Sequence, residues 1–180
     1  AIAMRHVDQV AAAILLASEA VAAKMGGRAV AVRAVSTGTR PFGSFEVFSP
    51  AVQGEGEPSS VSTEVARRAF ETAGVSPSDI DVAQLQDTES GAEIMHMAEC
   101  GFCEDGEQES MLERGDTEIG GRLPVNTAGG NIADSFINGM GLAVEAVRQV
   151  RGTSVNQVDG AATSLFIGGP MAPMVSSVLF

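Results

Sequence analysis

The stretch from Gly120 to Gly141, GGRLPVNTAGGNIADSFINGMG, constrains this chain more than any other. Paired glycines bracket a proline, an Asn-Thr and a short apolar run, and the pattern then opens into a helical period over 137–151. Gly129 and Gly130 let backbone N–H groups approach a ligand, or take positive φ, without a Cβ clash. A glycine-rich loop that feeds a helix N-terminus suits an anion or a polarised carbonyl oxygen. It equally suits a tight connection whose glycines only relieve crowding, and the residues alone leave both readings open.

The rest of the chain alternates strands with helices. Residues 7–17 are apolar without a helical break and predict a buried strand. Ser18 and Glu19 supply an N-cap and a first-turn acid for a helix to about Met25, closed by Gly26-Gly27. Residues 28–36 alternate into a second strand, with Val30, Val32 and either Ala34 or Val35 turned inward. Residues 37–60 are irregular and rich in Gly, Pro and Ser, with Phe42, Phe45 and Phe48 three apart. Those rings either pack as one helical turn on the core or line an apolar ligand passage, since loops this long in a compact domain are often functional.

Over 61–73 an amphipathic helix sets Val61, Val65, Ala69 and Ala73 on one face, with Ala66 and Phe70 beside it, and Gly74 stops it. A turn at 76–79 precedes a strand over 80–85, which ends at Gln86-Asp87-Thr88-Glu89. The helix that follows, 90–99, carries Ile94, Met95, Met97 and Ala98. Methionine adapts to irregular apolar shapes, so this helix suits either core packing or a lipid-like ligand. The helix over 137–151 counts Met140, Val144, Val147 and Val150 among its apolar residues, and Gly152 ends it. Two strands, 161–167 and 174–180, close the chain as a hairpin through Gly168-Gly169-Pro170. Such alternation indicates one α/β layered domain over 1–180, with 37–60 as an irregular insertion and 104–118 as an acidic surface excursion.

Charge excludes several functions. The 23 acidic residues outnumber 11 basic ones for a net −12, so nucleic acid, whose phosphates need clustered Lys and Arg, is not an expected partner. No apolar run approaches the ~18 residues of a membrane span. Residues 10–17 lack the flanks of a secretory signal, and a cytoplasmic location is the expectation. Cys100 and Cys103 form a Cys-x-x-Cys, but they follow a helix, whereas redox pairs sit at a helix N-terminus that lowers the thiol pKa. No second pair of ligands exists for a metal, and His6 and His96 read as structural. Eight Phe stand against no Tyr and no Trp.

The segments DQVAAAILLASEAVA, AGVSPSDIDVAQLQD, GFC, GGRLPVNTAGG and AVEAVRQVRGTSVNQV run in order across the chain, and together they resemble the C-terminal half of the thiolase superfamily. Within it the chain is most similar to the sterol-carrier-protein-X thiolases and their relatives, the lipid-transfer-protein-type aldolases of steroid side-chain degradation. The resemblance implies a mixed five-stranded sheet covered by helices. It also implies an acyl-CoA thioester as substrate, with coenzyme A entering only as part of it and no separate cofactor. Thiolases fold as two similar halves around one pocket, and their nucleophilic Cys lies in the first. The expected partners are therefore a first-half chain or a longer polypeptide, a small OB-fold and zinc-ribbon subunit, and further copies in a dimer or larger oligomer.

Carried over residue by residue, the resemblance puts Gln86 where thiolases hold a water or thioester oxygen. It puts Phe136 where their His, or the aldolases' Tyr, activates the reacting group, and the 166–170 loop where a Cys would serve as acid and base. Phe136 has no titratable proton and that loop has no Cys, so thiolysis lacks its carriers. Gln86 can still donate to an oxyanion and Asp87 can act as a base. Asn126 and the backbone of Gly129, Gly130, Gly168 and Gly169 are the candidate substrate-binding groups, and no metal is expected. Two functions follow: a carbon–carbon lyase with unusual acid–base groups, or a catalytically silent scaffold.

Overall fold

The computed structural model describes residues 10–26, 29–39, 61–89, 91–134, 136–169 and 174–180. Four strands form one sheet among these residues: β1 (Ala34–Thr39), β2 (Val82–Leu85), β3 (Ser164–Gly168) and β4 (Met174–Leu179). They lie in the order β1-β4-β3-β2. β4 pairs antiparallel with β1 (Ala34 opposite Leu179) and with β3 (Leu165 opposite Leu179), while β2 and β3 run parallel with Val82 opposite Ser164. The sheet is mixed, as expected, with four strands among the described residues rather than five.

The helix over Val61–Ala73, α2, takes the bounds its amphipathic period sets, and Gly74 ends it at φ +68°. Its Val65, Ala66, Ala69 and Phe70 are buried. They pack with Ala83, Leu85, Leu165, Ile167 and Leu179 of the sheet and with Met97, Phe102 and Met111. Phe70 and Phe102 meet edge to face, ring centres 6.4 Å apart. Side chains alternate across a strand, so Gln84, between Ala83 and Leu85, points to the opposite face, where α6 (Met140–Arg151) packs on β2 and β3. β2 is consequently buried on both faces.

Four expectations give way. Residues 10–18 form no strand: Leu15 is 89% and Leu16 83% exposed, because no described strand pairs with them. The helix after them, α1, is only Glu19–Ala22. The second strand begins at Ala34 and runs to Thr39, into the segment expected to be irregular, and buries Ala34 and Ser36 while Val32 and Val35 stay exposed. The acidic excursion is not all surface, since α4 (Gln108–Glu113) places Met111, wholly buried, in the core. The three expected phenylalanines of the 40–60 segment, with His6 and Pro170, lie outside the described residues.

The third helix, α3 (Ala92–Glu99), buries His96 and Met97 but leaves Met95 about half exposed. Cys100 caps its C-terminal end. Both thiols are free, and burial pushes both pKa values up, Cys100 the further. Among the described residues no helix is long and apolar enough to cross a membrane, and no group of His, Cys, Asp and Glu could hold a metal ion.

Candidate active site

Parallel strands present loops at their carboxyl ends, and in open α/β sheets ligands bind there. Here β2 and β3 end at Leu85 and Gly168, and the segments beyond them converge. Gln86 stays in register one residue past the strand, its N–H donating to Ile167 O at 3.0 Å. Its side chain is held by the glycine turn after β3, because the Gly169 N–H donates to Gln86 Oε1 at 2.8 Å. A donor at that oxygen fixes the amide's orientation, so Nε2 is the end left unengaged by the turn. That NH2 donates to no described residue and is not sealed from solvent. A Cβ on Gly168 would come within 2.9 Å of Gln86 Oε1, and one on Gly139 within 3.2 Å. The turn that carries half-buried Phe136 into α6 therefore passes beside Gln86 at Gly139.

Asp87 turns the other way. Its carboxylate accepts the Asn131 N–H at Oδ1 (2.7 Å) and the Ile132 N–H at Oδ2 (3.2 Å). Those amides belong to the short α5 (Gly130–Ala133), which the sequence hid inside the glycine-rich loop. Gly130 sits at φ +67°, and a Cβ there would lie 2.3 Å from Asp87 Oδ2, so glycine is required by space as well as by backbone. The helix end that sequence offered to an external anion is thus filled by an internal one. Burial raises the Asp87 pKa more than the backbone donors lower it.

Asn126 is equally committed. Its Oδ1 accepts Leu85 N–H at 2.8 Å, and its Nδ2 donates to Leu85 O at 2.8 Å and Glu93 Oε2 at 3.0 Å. Ala83 N–H donates to Pro124 O and Asn126 N–H to Ala83 O, so the Asn126 amide continues by side chain a parallel bridge that its backbone begins. It covers the open edge of β2. The positive φ of +49° this needs is one Asn tolerates. Gly129 N–H is likewise spent, donating to Asn126 O at 2.7 Å. The geometry thus brings Gln86, Asp87, Asn126, Gly130, Gly168 and Gly169 together, and it engages all of their side-chain polar groups except the Gln86 NH2.

Sequence reasoning missed two neighbours. Glu93, in the first turn of α3, is partly buried, and burial followed by the nearby Asp87 charge raises its pKa. The second is a buried network around Thr127. Its Oγ1 accepts from Gln84 Nε2 (3.0 Å) and Gln149 Nε2 (2.9 Å) and donates to Glu145 Oε1 (2.7 Å), which also accepts the Ser154 hydroxyl at 2.6 Å. The spacing 142, 145, 146, 149 could have revealed this face, since all four residues are buried.

A groove of about 900 Å³ lies elsewhere, lined by Leu16, Met25, Val30, Val144, Val147 and Phe180, with Arg148 and Arg151 also on its wall. It is an apolar surface apart from the Gln86 cluster, and its walls carry none of the candidate site residues.

Comparison with known proteins gives the family. Residues 57–179 match the family model described as thiolase C-terminal domain-like. The chain is 34% identical over 171 residues to the 17-hydroxy-3-oxo-4-pregnene-20-carboxyl-CoA lyase of Mycobacterium tuberculosis, covering 94% of this chain and 43% of that protein. It is 40% identical over 115 residues to the steroid side-chain-cleaving aldolase of Thermomonospora curvata, covering 64% of this chain and 29% of the relative. Human sterol carrier protein 2 is 35% identical over 161 residues, 86% of this chain and 29% of that one. Among solved structures, the Ltp2-ChsH2(DUF35) aldolase superposes at a TM-score of 0.68 with 31% identity, covering 82% of this chain and 38% of its own. The chain spans less than half the length of each of these relatives. Sequence match, sheet order and superposition together make it a member of the thiolase C-terminal domain-like family.

Proposed function

We propose that this chain is the second half of a thiolase-type assembly that binds a steroid or other lipid acyl-CoA thioester and cleaves a carbon–carbon bond of its side chain by retro-aldol reaction. The observation that carries this reading is the Gln86 amide. Gly169 N–H pins its oxygen, which leaves its NH2, bonded to no described residue, as a fixed donor at the carboxyl end of the parallel strands. A donor held in place before reaction suits an enolate oxygen, where negative charge develops as the bond breaks. The names of the relatives, a CoA lyase and a side-chain-cleaving aldolase, support the same chemistry.

Residues 10–17 and the groove along Val144 and Val147 leave apolar side chains uncovered, as do Val35 of β1 and Met174 of β4. Surfaces of this kind mark interfaces, and we assign the covering partner to the first half of the same type of fold. A small OB-fold and zinc-ribbon subunit is the further partner. The solved aldolase relative, whose name pairs it with a DUF35 component, supports that assignment.

The test is to assemble the chain with its first-half and DUF35-type partners and assay β-hydroxyacyl steroid-CoA thioesters for ketone release. Turnover that falls about 100-fold or more in Gln86→Leu, with the assembly intact by native mass spectrometry, is the expected result. A second reading, a silent scaffold, is favoured by Phe136, whose ring lacks the hydroxyl of the aldolases. An intact assembly that neither turns over substrate nor gains activity with Phe136→Tyr would establish the scaffold instead.

A further inference from the structure

Phe136 has no titratable proton and the Gln86 oxygen is taken by Gly169, so neither supplies the proton carrier that the proposed reaction needs beside its oxyanion donor. We infer that Glu93 carries it: the Glu93 carboxylate takes the proton of the substrate β-hydroxyl and returns it to the α-carbon. This rests on the retro-aldol reading above and assigns its base.

Elimination and placement support the choice. Three carboxylates just after β2, Asp87, Glu89 and Glu93, come into question. Asp87 spends one oxygen on each of two backbone amides. Glu89 accepts a single side-chain bond, from the neighbouring Thr88 hydroxyl at 3.2 Å, but that bond does not tie it to the Leu85–Gln86 backbone. Glu93 makes a single hydrogen bond to described residues, from Asn126 Nδ2 to Oε2, and its Oε1 is neither bonded to them nor sealed from solvent. The same Asn126 nitrogen donates to Leu85 O, the carbonyl of the peptide that leads into Gln86. One side-chain amide therefore ties the carboxylate to the backbone that carries the oxyanion donor.

Burial makes the charged form of Glu93 costly, and Asp87 adds to that cost. Asp87 is the charge that acts on Glu93; no Lys, Arg or His of the described residues offsets it. A carboxyl in that environment holds a proton to higher pH than an ordinary glutamate, which suits a group that must both accept and give one back. In the step, the O–H bond breaks toward Glu93, the alkoxide carbon becomes a ketone as Cα–Cβ breaks, and the electron pair moves into the thioester as an enolate. Gln86 Nε2 holds the enolate oxygen, and the Glu93 proton then forms the new Cα–H bond. The reaction is redox-neutral and needs no co-reactant.

In the active assembly, Glu93→Gln keeps KM within about twofold and lowers kcat by about 100-fold or more. The acid limb of the wild-type kcat profile, where Glu93 protonates, disappears in the variant, and Glu93→Asp restores part of the rate. A merely structural role would not move that limb. A second readout needs no substrate. The fold binds the Glu93 proton more tightly than the unfolded chain does, so its contribution to stability is present in acid and is lost as pH rises from about 4.5 through the raised pKa. Urea titrations should show that fall flattened in Glu93→Gln. Wild-type kcat and an unchanged profile in Glu93→Gln would overturn the assignment while leaving the aldolase reading standing. A wild-type assembly without turnover would instead overturn the aldolase reading, and the assignment with it.

Discussion

Two amphipathic helices of similar length, α2 and α6, obey opposite rules. In α2 the apolar stripe that the sequence displays is the stripe that packs: Val65, Ala66, Ala69 and Phe70 are buried against the sheet. In α6 the stripe of Met140, Val144, Val147 and Val150 is not the face that packs on β2 and β3. Leu142, Glu145, Ala146 and Gln149 are the residues buried there, while Met140 is 41% exposed and Val144 and Val147 line the open groove. Periodicity reports which face wants to leave water. It does not report which neighbour will cover it, and for α6 the described residues leave that stripe partly open along the groove. The polar face of α6 is tolerated inside because each donor there meets an acceptor.

Breaking each face should give graded losses. Phe70→Ala, which empties the space against Phe102, should cost the isolated chain about 3 kcal/mol or more in urea unfolding. Glu145→Ala leaves the Thr127, Ser154 and Gln149 donors facing a void and should cost about 2 kcal/mol by the same measurement. Replacing Val144 and Val147 together by Ser should cost the isolated chain about 1 kcal/mol or less. That double variant sharpens the comparison, because native mass spectrometry should show its association with the proposed first-half partner lost although the chain stays folded. If instead it unfolded like Phe70→Ala, the outer face of α6 would belong to this chain's own core.

The candidate site divides along similar lines. Gln86, Asp87, Asn126 and the glycines at 130, 168 and 169 were legible, because a strand that runs into polar residues and loops that need glycine both leave marks in a sequence. Their roles were not. Asp87 reads as a free base until the α5 amides are seen to occupy it, and Asn126 reads as a ligand-binding amide until it is seen to close the edge of β2. Glu93 left no mark at all. It stands in a helix's first turn, where a glutamate is commonplace, and only the fold of 124–126 along β2 brings Asn126 to it.

By itself, then, the sequence determined the α/β alternation, the bounds of α2, the terminal hairpin and the family, because those depend on local periodicity, glycine and proline stops, and ordered motifs. Tertiary structure decided which face of α6 is covered and that α4 brings Met111 into the core from an acidic segment. It decided too which polar groups are consumed in holding the site and which remain to act. Those outcomes depend on partners tens of residues away, and hydrogen-bond satisfaction between such partners is a property of their placement, which no local pattern encodes.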